Sequence, residues 1–291
     1  MKDYLVYILV RLIVAMLQML SLEKAAALAD GLAWLCSDVF KVRGRLVEDN
    51  LLHAFPEKTP AERHEIVRGM WRHLLRMLVE AAFAERKIHL NNWKDFVTLE
   101  NEVPALRAMY EGRPVLLATG HLGNFEFAGY ILGLIGIPAY SVARTLDNPY
   151  LDHYLNSFRR SSGQQLIPKS QAAPMLNQAM ELGRTVAILT DQDAGPGGVK
   201  SKCFGRTVSS HKVVSILAQM FNAPVGISSA IRHNEELFHF TIGVVEYLEV
   251  SEQPELANPK AMAKWYNDGM ERVIRQTPSQ YWWLHKRWRY D

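Results

Sequence analysis

The spacing of apolar positions divides the chain into a helical first third and a remainder in which short apolar runs alternate with longer periodic segments. Across residues 22–90, apolar side chains recur every three or four positions, as at Ile66, Met70 and Leu74. This spacing predicts helices that each bury one broad apolar face. Pro60 predicts the first turn of one of these helices, because proline suits that position.

Beyond residue 96, five short apolar runs predict β-strands. They are VLLAT (115–119), GIPAYSV (136–142), QQLIP (164–168), RTVAILTDQ (184–192) and NAPVGISSAI (222–231). Segments of helical length and period lie between them, at 126–135, 149–161, 172–182 and 209–221. The run 239–250 predicts a final strand pair, and 257–276 a closing helix. Strands that alternate with helices indicate an α/β fold, a single domain whose largely parallel central sheet is flanked by helices.

Residues 4–20 are apolar except for Arg11 and Gln18, and their 17 positions are close to the minimum for a transmembrane helix. An arginine at the centre of such a helix costs about 2.5 to 3.5 kcal/mol on insertion. The less apolar side chains share one stripe of the helix: Tyr4, Tyr7, Arg11, Ala15 and Gln18. We therefore predict a hydrophobic, membrane-associating helix over residues 1–22, either spanning the bilayer or lying in its interface. A buried helix is one alternative; a cleaved signal peptide is another, although Arg11 interrupts its apolar core.

Composition excludes several classes of protein. The chain has 291 residues, of which 48% are apolar and 22% charged, which fits a packed globular protein rather than a disordered chain or a disulfide-rich secreted module. The net charge of +3 is too small for general binding to nucleic acid. Cys36 and Cys203 form no CxxC pair, so we predict two buried, reduced thiols and no thiolate zinc site.

The first predicted strand leads directly into GHLGNFE (120–126), and such strand ends are where parallel sheets place their ligand sites. On a regular helix, His121 and Glu126 would lie about 140° apart, so they meet only if the turn between them is not helical. Gly120 and Gly123 permit such a turn. We expect the Glu126 carboxylate to hold one ring nitrogen of His121 and leave the other free as a base.

The GHLGNFE segment resembles the H-x4-D/E signature of glycerolipid and glycolipid acyltransferases. Its HLGN-x-E form is similar to that of the late acyltransferases of lipid A biosynthesis, the lauroyl and myristoyl transferases. Four further blocks follow in that family's order: ARTLDNPYLD (143–152), GRTVAILTDQDAGPGGV (183–199), FGR (204–206) and PSQYWWLHKRW (278–288). The resemblance covers essentially the whole chain. Cys203 replaces an aromatic residue of the family, and residues 209–211 lack its usual small-residue and Thr pattern, departures that concern the acceptor more than the chemistry.

The resemblance implies a glycerolipid-acyltransferase-like fold, with residues 23–291 as the acyltransferase domain. It also implies transfer of an acyl chain from acyl-carrier protein to a lipid A precursor at the cytoplasmic face of the bacterial inner membrane. His121 would act as general base on the acceptor hydroxyl, and Glu126 would support the imidazolium that forms. Because thioesters are already activated, direct transfer needs neither an acyl-enzyme nor a metal, and we expect no cofactor.

Three further residues are candidates for substrate binding. Arg144 is expected to bind a head-group phosphate or the oxyanion, with a surface salt bridge as the alternative. Asp191 either helps Asp193 to cap the turn before Gly195, positions the acceptor or an arginine, or contributes to a metal site. Arg206 and the two lysines before it suit a phosphate-bearing lipid. Their loop lacks the spacing of a nucleotide-binding motif.

The C-terminal stretch 281–291 mixes three tryptophans with four basic side chains. A membrane interface, core packing of the tryptophans and stacking on nucleic acid are the three interpretations, and we expect no nucleic-acid partner. Acidic acyl-carrier protein is a further partner for these cations. Ser209, three residues before Lys212, is expected to be a helix N-cap. The alternative functions are an acyltransferase for another glycolipid, such as phosphatidylinositol mannoside, a lipid thioesterase or hydrolase, and a non-catalytic lipid-binding protein.

Overall fold

A seven-stranded sheet forms the centre of the protein in a computed structural model that describes residues 1–137 and 139–289. In sheet order its strands are β1 (Val97–Glu100), β9 (Phe240–Leu248), β8 (Val225–Arg232), β2 (Val115–Thr119), β5 (Thr185–Leu189), β3 (Tyr140–Ala143) and β4 (Gln165–Pro168). Every neighbouring pair is parallel except β8 and β9. The predicted α/β class and largely parallel sheet are therefore confirmed. Strands β6 (Val199–Cys203) and β7 (Arg206–Ser210) form a separate antiparallel hairpin.

Ten α-helices flank the sheet within the described residues. They are α1 (Lys2–Gln18), α2 (Leu22–Trp34), α3 (Gly44–Ala54), α4 (Pro60–Lys87), α5 (Val103–Tyr110), α6 (Phe125–Leu134), α7 (Pro149–Ser161), α8 (Ala172–Glu181), α9 (Val213–Met220) and α10 (Pro259–Gln276). The predicted start at Pro60 is confirmed, because Thr59 and Glu62 form a reciprocal capping box there. The predicted helical region 22–90 contains α2, a π-helical turn at Leu35–Val39, α3 and α4.

The structure corrects three predictions about local structure. The run 239–250 forms one strand, β9, which pairs with β8 and β1 rather than forming a strand pair by itself. Ser209 is not a helix N-cap: it lies in β7, and its hydroxyl donates to the Gly195 carbonyl oxygen at 2.5 Å. Cys203 is buried, whereas Cys36 is partly exposed. Pro138 in the predicted strand 136–142, and Tyr290 and Asp291 in the C-terminal stretch, lie outside the described residues.

Helix α1 contains no buried residue. The alternative of a buried N-terminal helix is therefore wrong. Tyr4 and Tyr7 contact Tyr150 of α7, and the Arg11 guanidinium lies 4.8 Å from the ring centroid of Tyr154. No helix in the described ranges 1–137 and 139–289 is both long and apolar enough to span a membrane. The division of the chain at residue 22 stays a prediction.

The C-terminal tryptophans pack in the main core. Trp283 is 1% exposed and makes edge-to-face contacts with Phe55, Phe204 and Tyr281. Trp288 packs against the same cluster and donates its indole N–H to the Cys203 carbonyl oxygen at 3.1 Å. Core packing is therefore the correct interpretation of these side chains, and the membrane-interface interpretation is wrong for the buried Trp283. The segment forms a bridge with Leu122, just beyond the carboxyl end of β2, and reaches the β6–β7 hairpin at Trp288.

Candidate active site

Two adjacent parallel strands place a histidine and an aspartate side by side. Strands β2 and β5 pair in register, with Thr119 opposite Leu189. His121 and Asp191 each follow two residues later, at the carboxyl edge of the sheet. Strands β3 and β4 lie between β2 and β5 in sequence, so the sequence pattern alone does not reveal this adjacency. The carboxyl edge of such a sheet is also where open α/β folds bind their ligands.

The Asp191 carboxylate holds His121 at two points. The backbone N–H of His121 donates to Oδ2 of Asp191 at 3.0 Å, and the ring Nδ1 lies 3.0 Å from Oδ1. Asp191 is 4% exposed, and the His121 side chain is 15% exposed. With Nδ1–H donated to the carboxylate, the imidazole carries its lone pair on Nε2. That nitrogen is then able to accept a proton.

Burial and charge act on this pair in opposite directions. Burial lowers the pKa of His121, but the charge and hydrogen bond of Asp191 and the charge of Glu126 together outweigh burial, so the net pKa is raised above the usual value for histidine. Burial raises the pKa of Asp191, whereas the His121 imidazole and the Arg287 guanidinium lower it by more. Asp191 therefore remains ionised, and it stabilises the imidazolium form of its partner.

The side chain of Gln192 lies beside the second ring nitrogen, Nε2. Its amide Nε2 lies 3.3 Å from Nε2 of His121. An amide N–H directed at this lone pair agrees with the proton on Nδ1. Phe125 and Trp282 pack edge-on against the imidazole, with ring centroids 4.9 and 5.3 Å away. These contacts restrict the ring plane, and the amide of Gln192 lies beside Nε2.

The structure does not show the expected hydrogen bond between Glu126 and His121. Glu126 lies in the first turn of α6, where both of its carboxylate oxygens accept from the guanidinium of Arg159 on α7. The distance from Arg159 Nε to Glu126 Oε2 is 2.9 Å. Asp191 therefore occupies the orienting position that the sequence assigned to Glu126. The charge of Glu126 still raises the pKa of His121, although less than Asp191 does.

The loop that carries His121 is fixed by three separate elements. Gly123 has a φ of +61°, and a Cβ there would overlap the carbonyl oxygen of Ala230 in β8. The next residue, Asn124, caps α6 through its Oδ1 and donates its Nδ2 to Glu80 of α4 at 2.7 Å. The Gly123 N–H donates to the Gln280 carbonyl oxygen at 2.8 Å. The predicted non-helical glycine turn is confirmed, because no residue with a side chain fits at Gly123.

Glu80 is fully buried and anchors this loop through an ion pair. Its carboxylate oxygens accept from both terminal nitrogens of Arg232 at the end of β8, and the Arg232 side chain is 3% exposed. The Phe238 N–H and the Asn124 amide complete the set of donors. Four donors around one carboxylate satisfy its charge away from water. The ion pair therefore connects the active-site loop to α4 and to the edge of the sheet.

The closing segment contributes an arginine that the sequence analysis did not single out. The guanidinium of Arg287 is 2% exposed and donates to the carbonyl oxygens of Gln192 and Ser209 and to Oδ1 of Asn267. Its charge lowers the pKa of Asp191. The Trp282 N–H donates to the His121 carbonyl oxygen at 3.0 Å. The position of Arg287 in the segment 278–288, which resembles the family's closing motif, is the one signal in the sequence that marks it.

The structure places the remaining candidates on other elements. Arg144 follows β3 at the same edge of the sheet, where its exposed side chain forms an ion pair of 3.7 Å with Asp147. Arg206 is the first residue of β7, at the turn of the hairpin. Ser210, at the other end of this strand, is about 13 Å away. Asp193 accepts from the Gly195 N–H at 3.3 Å, as expected for a capped turn. Within the described part of the chain, no cluster of His, Cys, Asp or Glu is arranged to hold a metal ion.

Comparisons with known proteins agree with the motifs. The family profile described as "Bacterial lipid A biosynthesis acyltransferase" matches residues 1–290. The chain is 25% identical to the "Lipid A biosynthesis lauroyltransferase" of Escherichia coli (strain K12), over 89% of this chain and 83% of the relative. It is 23% identical to the "Lipid A biosynthesis palmitoleoyltransferase" of the same organism, over 86% and 79%. The "Lipid A biosynthesis acyltransferase 2" of Shigella flexneri is 25% identical, over 81% and 74%.

Proposed function

The chain belongs to the bacterial lipid A biosynthesis acyltransferase family, and from this membership we propose that it transfers a fatty acyl chain from an acyl-carrier-protein thioester to a hydroxyl group of a lipid A precursor. The observation that carries the proposal is the His121–Asp191 pair at the carboxyl edge of the sheet. A neutral imidazole with one nitrogen held by a carboxylate and the other available is the arrangement of a general base.

The reaction proceeds in two steps. Nε2 of His121 takes the proton of the acceptor hydroxyl while that oxygen attacks the thioester carbonyl carbon, which forms the new C–O bond and a tetrahedral oxyanion. The oxyanion then collapses, the C–S bond breaks, and the imidazolium returns its proton to the departing sulfur. Asp191 is a positioning residue in this scheme: it selects the tautomer and stabilises the imidazolium between the two steps.

Gln192 supplies a hydrogen-bond donor to the oxyanion. Its amide lies 3.3 Å from the nitrogen that accepts the proton, so the reacting carbonyl group must come within a few ångströms of it. An entering hydroxyl displaces the amide from Nε2, and the freed N–H groups face the position where negative charge develops. The Arg287 guanidinium donates to the backbone carbonyl oxygen of Gln192. This hydrogen bond fixes the backbone of Gln192 and does not involve its side chain.

The negative charge of Glu126 raises the pKa of His121, as that of Asp191 does, and so stabilises the imidazolium. Glu126 also accepts hydrogen bonds from Arg159. Arg144 is the candidate for the phosphate of the acceptor, because its side chain is exposed at the edge of the sheet that carries His121. A guanidinium suits a phosphate through paired hydrogen bonds. The roles of Arg206 as a phosphate ligand and of Asp191 as a direct substrate contact stay predictions.

The acceptor and product are lipids, and we place the enzyme at the cytoplasmic face of the bacterial inner membrane. The support is α1, whose apolar side chains are largely exposed, including Leu5, Leu9 and Leu12. A helix with this surface lowers its free energy by burying these side chains among lipid tails. The acidic acyl-carrier protein is expected to approach from the aqueous side.

Acyl transfer by the His121→Ala variant tests the proposal. We expect purified wild-type protein to acylate a lipid A precursor from acyl-carrier-protein thioester, and the variant to lose about 10²- to 10⁴-fold in turnover while keeping its circular dichroism spectrum. Retention of full turnover by the variant would refute the mechanism. Omitting the acceptor separates the rivals: rapid release of free fatty acid would identify a thioesterase. Transfer to a phosphatidylinositol mannoside but not to the lipid A precursor would identify another acceptor.

A further inference from the structure

Exposed apolar side chains are concentrated at the N-terminal end of the chain. Of the 26 exposed large hydrophobic side chains in the described residues, 16 belong to the first 42 residues. Ten of these 16 belong to residues 1–19, which contain α1. The other six belong to α2 and the segment that follows it: Leu28, Leu32, Trp34, Val39, Phe40 and Val42. We call these six residues the α2 patch. Phe40 is 69% exposed and Trp34 55%.

Helix α2 has the opposite arrangement to that of an ordinary surface helix. Its buried side chains are the small residues Ala25, Ala29 and Ala33, and the first two pack in a cluster with Val79 of α4. Apart from Leu22, which packs against the core at the start of the helix, its large apolar side chains Leu28, Leu32 and Trp34 are exposed. A surface helix in water instead buries its large apolar residues and exposes polar ones. The outer face of α2 therefore fits an apolar environment that residues 1–137 and 139–289 do not supply.

Cations border the α2 patch on one side. Lys41, Arg43 and Arg45 follow Phe40 directly, and all three are exposed. They line a shallow, open depression at the start of α3. Arg43 donates to the Leu284 carbonyl oxygen at 2.7 Å, which ties this part of the chain to the closing segment 278–288. Aromatic and aliphatic side chains next to basic ones are typical of surfaces that bind the head-group region of anionic bilayers.

We propose that the α2 patch and its three cations form a second membrane-contacting surface, which docks on the anionic lipid–water interface of a bilayer alongside α1. This inference rests on the proposed function, which requires a membrane-embedded acceptor. It extends the membrane-facing surface past residue 22, into the domain that carries the active site. Two separate contacts restrict the rotation of the protein about α1, so the active site keeps one orientation toward the lipid surface.

Binding of the full chain to lipid vesicles tests the proposal. The vesicles contain phosphatidylethanolamine with phosphatidylglycerol, or phosphatidylcholine alone. We expect the Trp34→Ser/Phe40→Ser variant to bind the anionic vesicles about tenfold more weakly for each side chain removed. The Lys41→Gln/Arg45→Gln variant should lose about fivefold for each charge on anionic vesicles, and nothing on phosphatidylcholine. Brominated lipid should quench less fluorescence in Trp34→Phe than in the wild type.

A Leu182→Ser/Met220→Ser variant provides the matched control, because these side chains are 58% and 61% exposed but lie far along the chain, at the ends of α8 and α9. Circular dichroism checks that each variant is folded. Equal loss of binding in the control and the patch variant would overturn the proposal. A patch variant that binds the vesicles as tightly as the wild type would also overturn it. If size-exclusion chromatography then shows self-association of the wild type but not of the variant, the patch binds a second copy of the chain.

Acyl transfer by the wild type on a detergent-dispersed acceptor separates this inference from the proposed function. Patch-dependent binding without any transfer would refute the proposed function and leave the second membrane contact intact. Normal acyl transfer together with vesicle binding that does not depend on the patch would support the proposed function and refute the second membrane contact.

Discussion

Replacing Asp191 by Asn tests which carboxylate orients the imidazole. In the native protein, Oδ1 of Asp191 faces the ring Nδ1 of His121 and Oδ2 faces the backbone N–H of the same residue, both at 3.0 Å. Both positions need an acceptor. Asparagine has only one acceptor oxygen, so its amide group must face either the backbone N–H or the ring. If it faces the ring, Nδ1 becomes the acceptor and the proton moves to Nε2, where it blocks the base.

The size of the effect follows from these bonds. A hydrogen bond to a charged group contributes about 1.5 to 3 kcal/mol, which corresponds to a loss of about 10- to 100-fold in turnover when the charge is removed. The wrong tautomer of the histidine lowers turnover further, because the equivalent Asp→Asn change in a Ser-His-Asp triad lowers kcat by about 10⁴. We therefore expect Asp191→Asn to retain between about 1% and 0.01% of wild-type turnover.

The pH profile provides a second and independent readout. Because the net pKa of His121 is raised, kcat/KM of the wild type should rise with pH to a midpoint above the usual value of about 6.5. Removal of the Asp191 charge destabilises the imidazolium, so the residual activity of Asp191→Asn should have a lower midpoint. Glu126→Gln should also reduce turnover, because Arg159 loses its partner, but it should shift the midpoint less.

The assay is acyl transfer from acyl-carrier-protein thioester to a lipid A precursor, measured from about pH 5 to pH 9 to bracket the expected midpoint. Asp193→Asn is the matched control: this carboxylate is two residues away and caps a turn without contacting the imidazole, so near-normal turnover is expected. The reasoning is refuted if Asp191→Asn keeps the wild-type midpoint and most of its turnover while Glu126→Gln shifts the midpoint downward. That result would mean that Glu126 holds His121 in the reacting enzyme.

Three further predictions concern the surroundings of this pair. Gln192→Ala should lower kcat about 10²- to 10³-fold with little change in KM, because a donor to the transition state is lost; a change in KM alone would contradict this role. Gly123→Ala should lower the melting temperature and abolish transfer, because its Cβ would overlap the Ala230 carbonyl oxygen at a φ of +61°; an unchanged melting curve would contradict this. Glu80→Ala leaves Arg232 buried without a counter-charge, so urea unfolding should show a loss of about 3 to 5 kcal/mol, and a loss below about 1 kcal/mol would contradict the structural role of the ion pair.

The elements around the site were predictable because each depends on local spacing. The strand before His121, the non-helical glycine turn and the helix that begins beside Glu126 follow from short-range pattern, and β2 and α6 confirm them. The hairpin of β6 and β7 was not predicted. Residues 199–210 contain three basic side chains and no run of large apolar ones. They form strands because the two halves pair with each other and β6 packs against α10. Local propensity is weak evidence where tertiary pairing decides the structure.

The sequence by itself determined the order and type of most elements, the loop that carries the candidate base, and the family, because periodicity and motif spacing are properties of neighbouring residues. Only the tertiary structure decided that Asp191, rather than Glu126, holds His121, because the pairing of β2 with β5 passes over two intervening strands and no local pattern records it. The tertiary structure also decided which apolar side chains are buried and which are exposed. The same apolar residue types are packed inside at Trp283 and exposed at Trp34, since their surroundings come from distant parts of the chain.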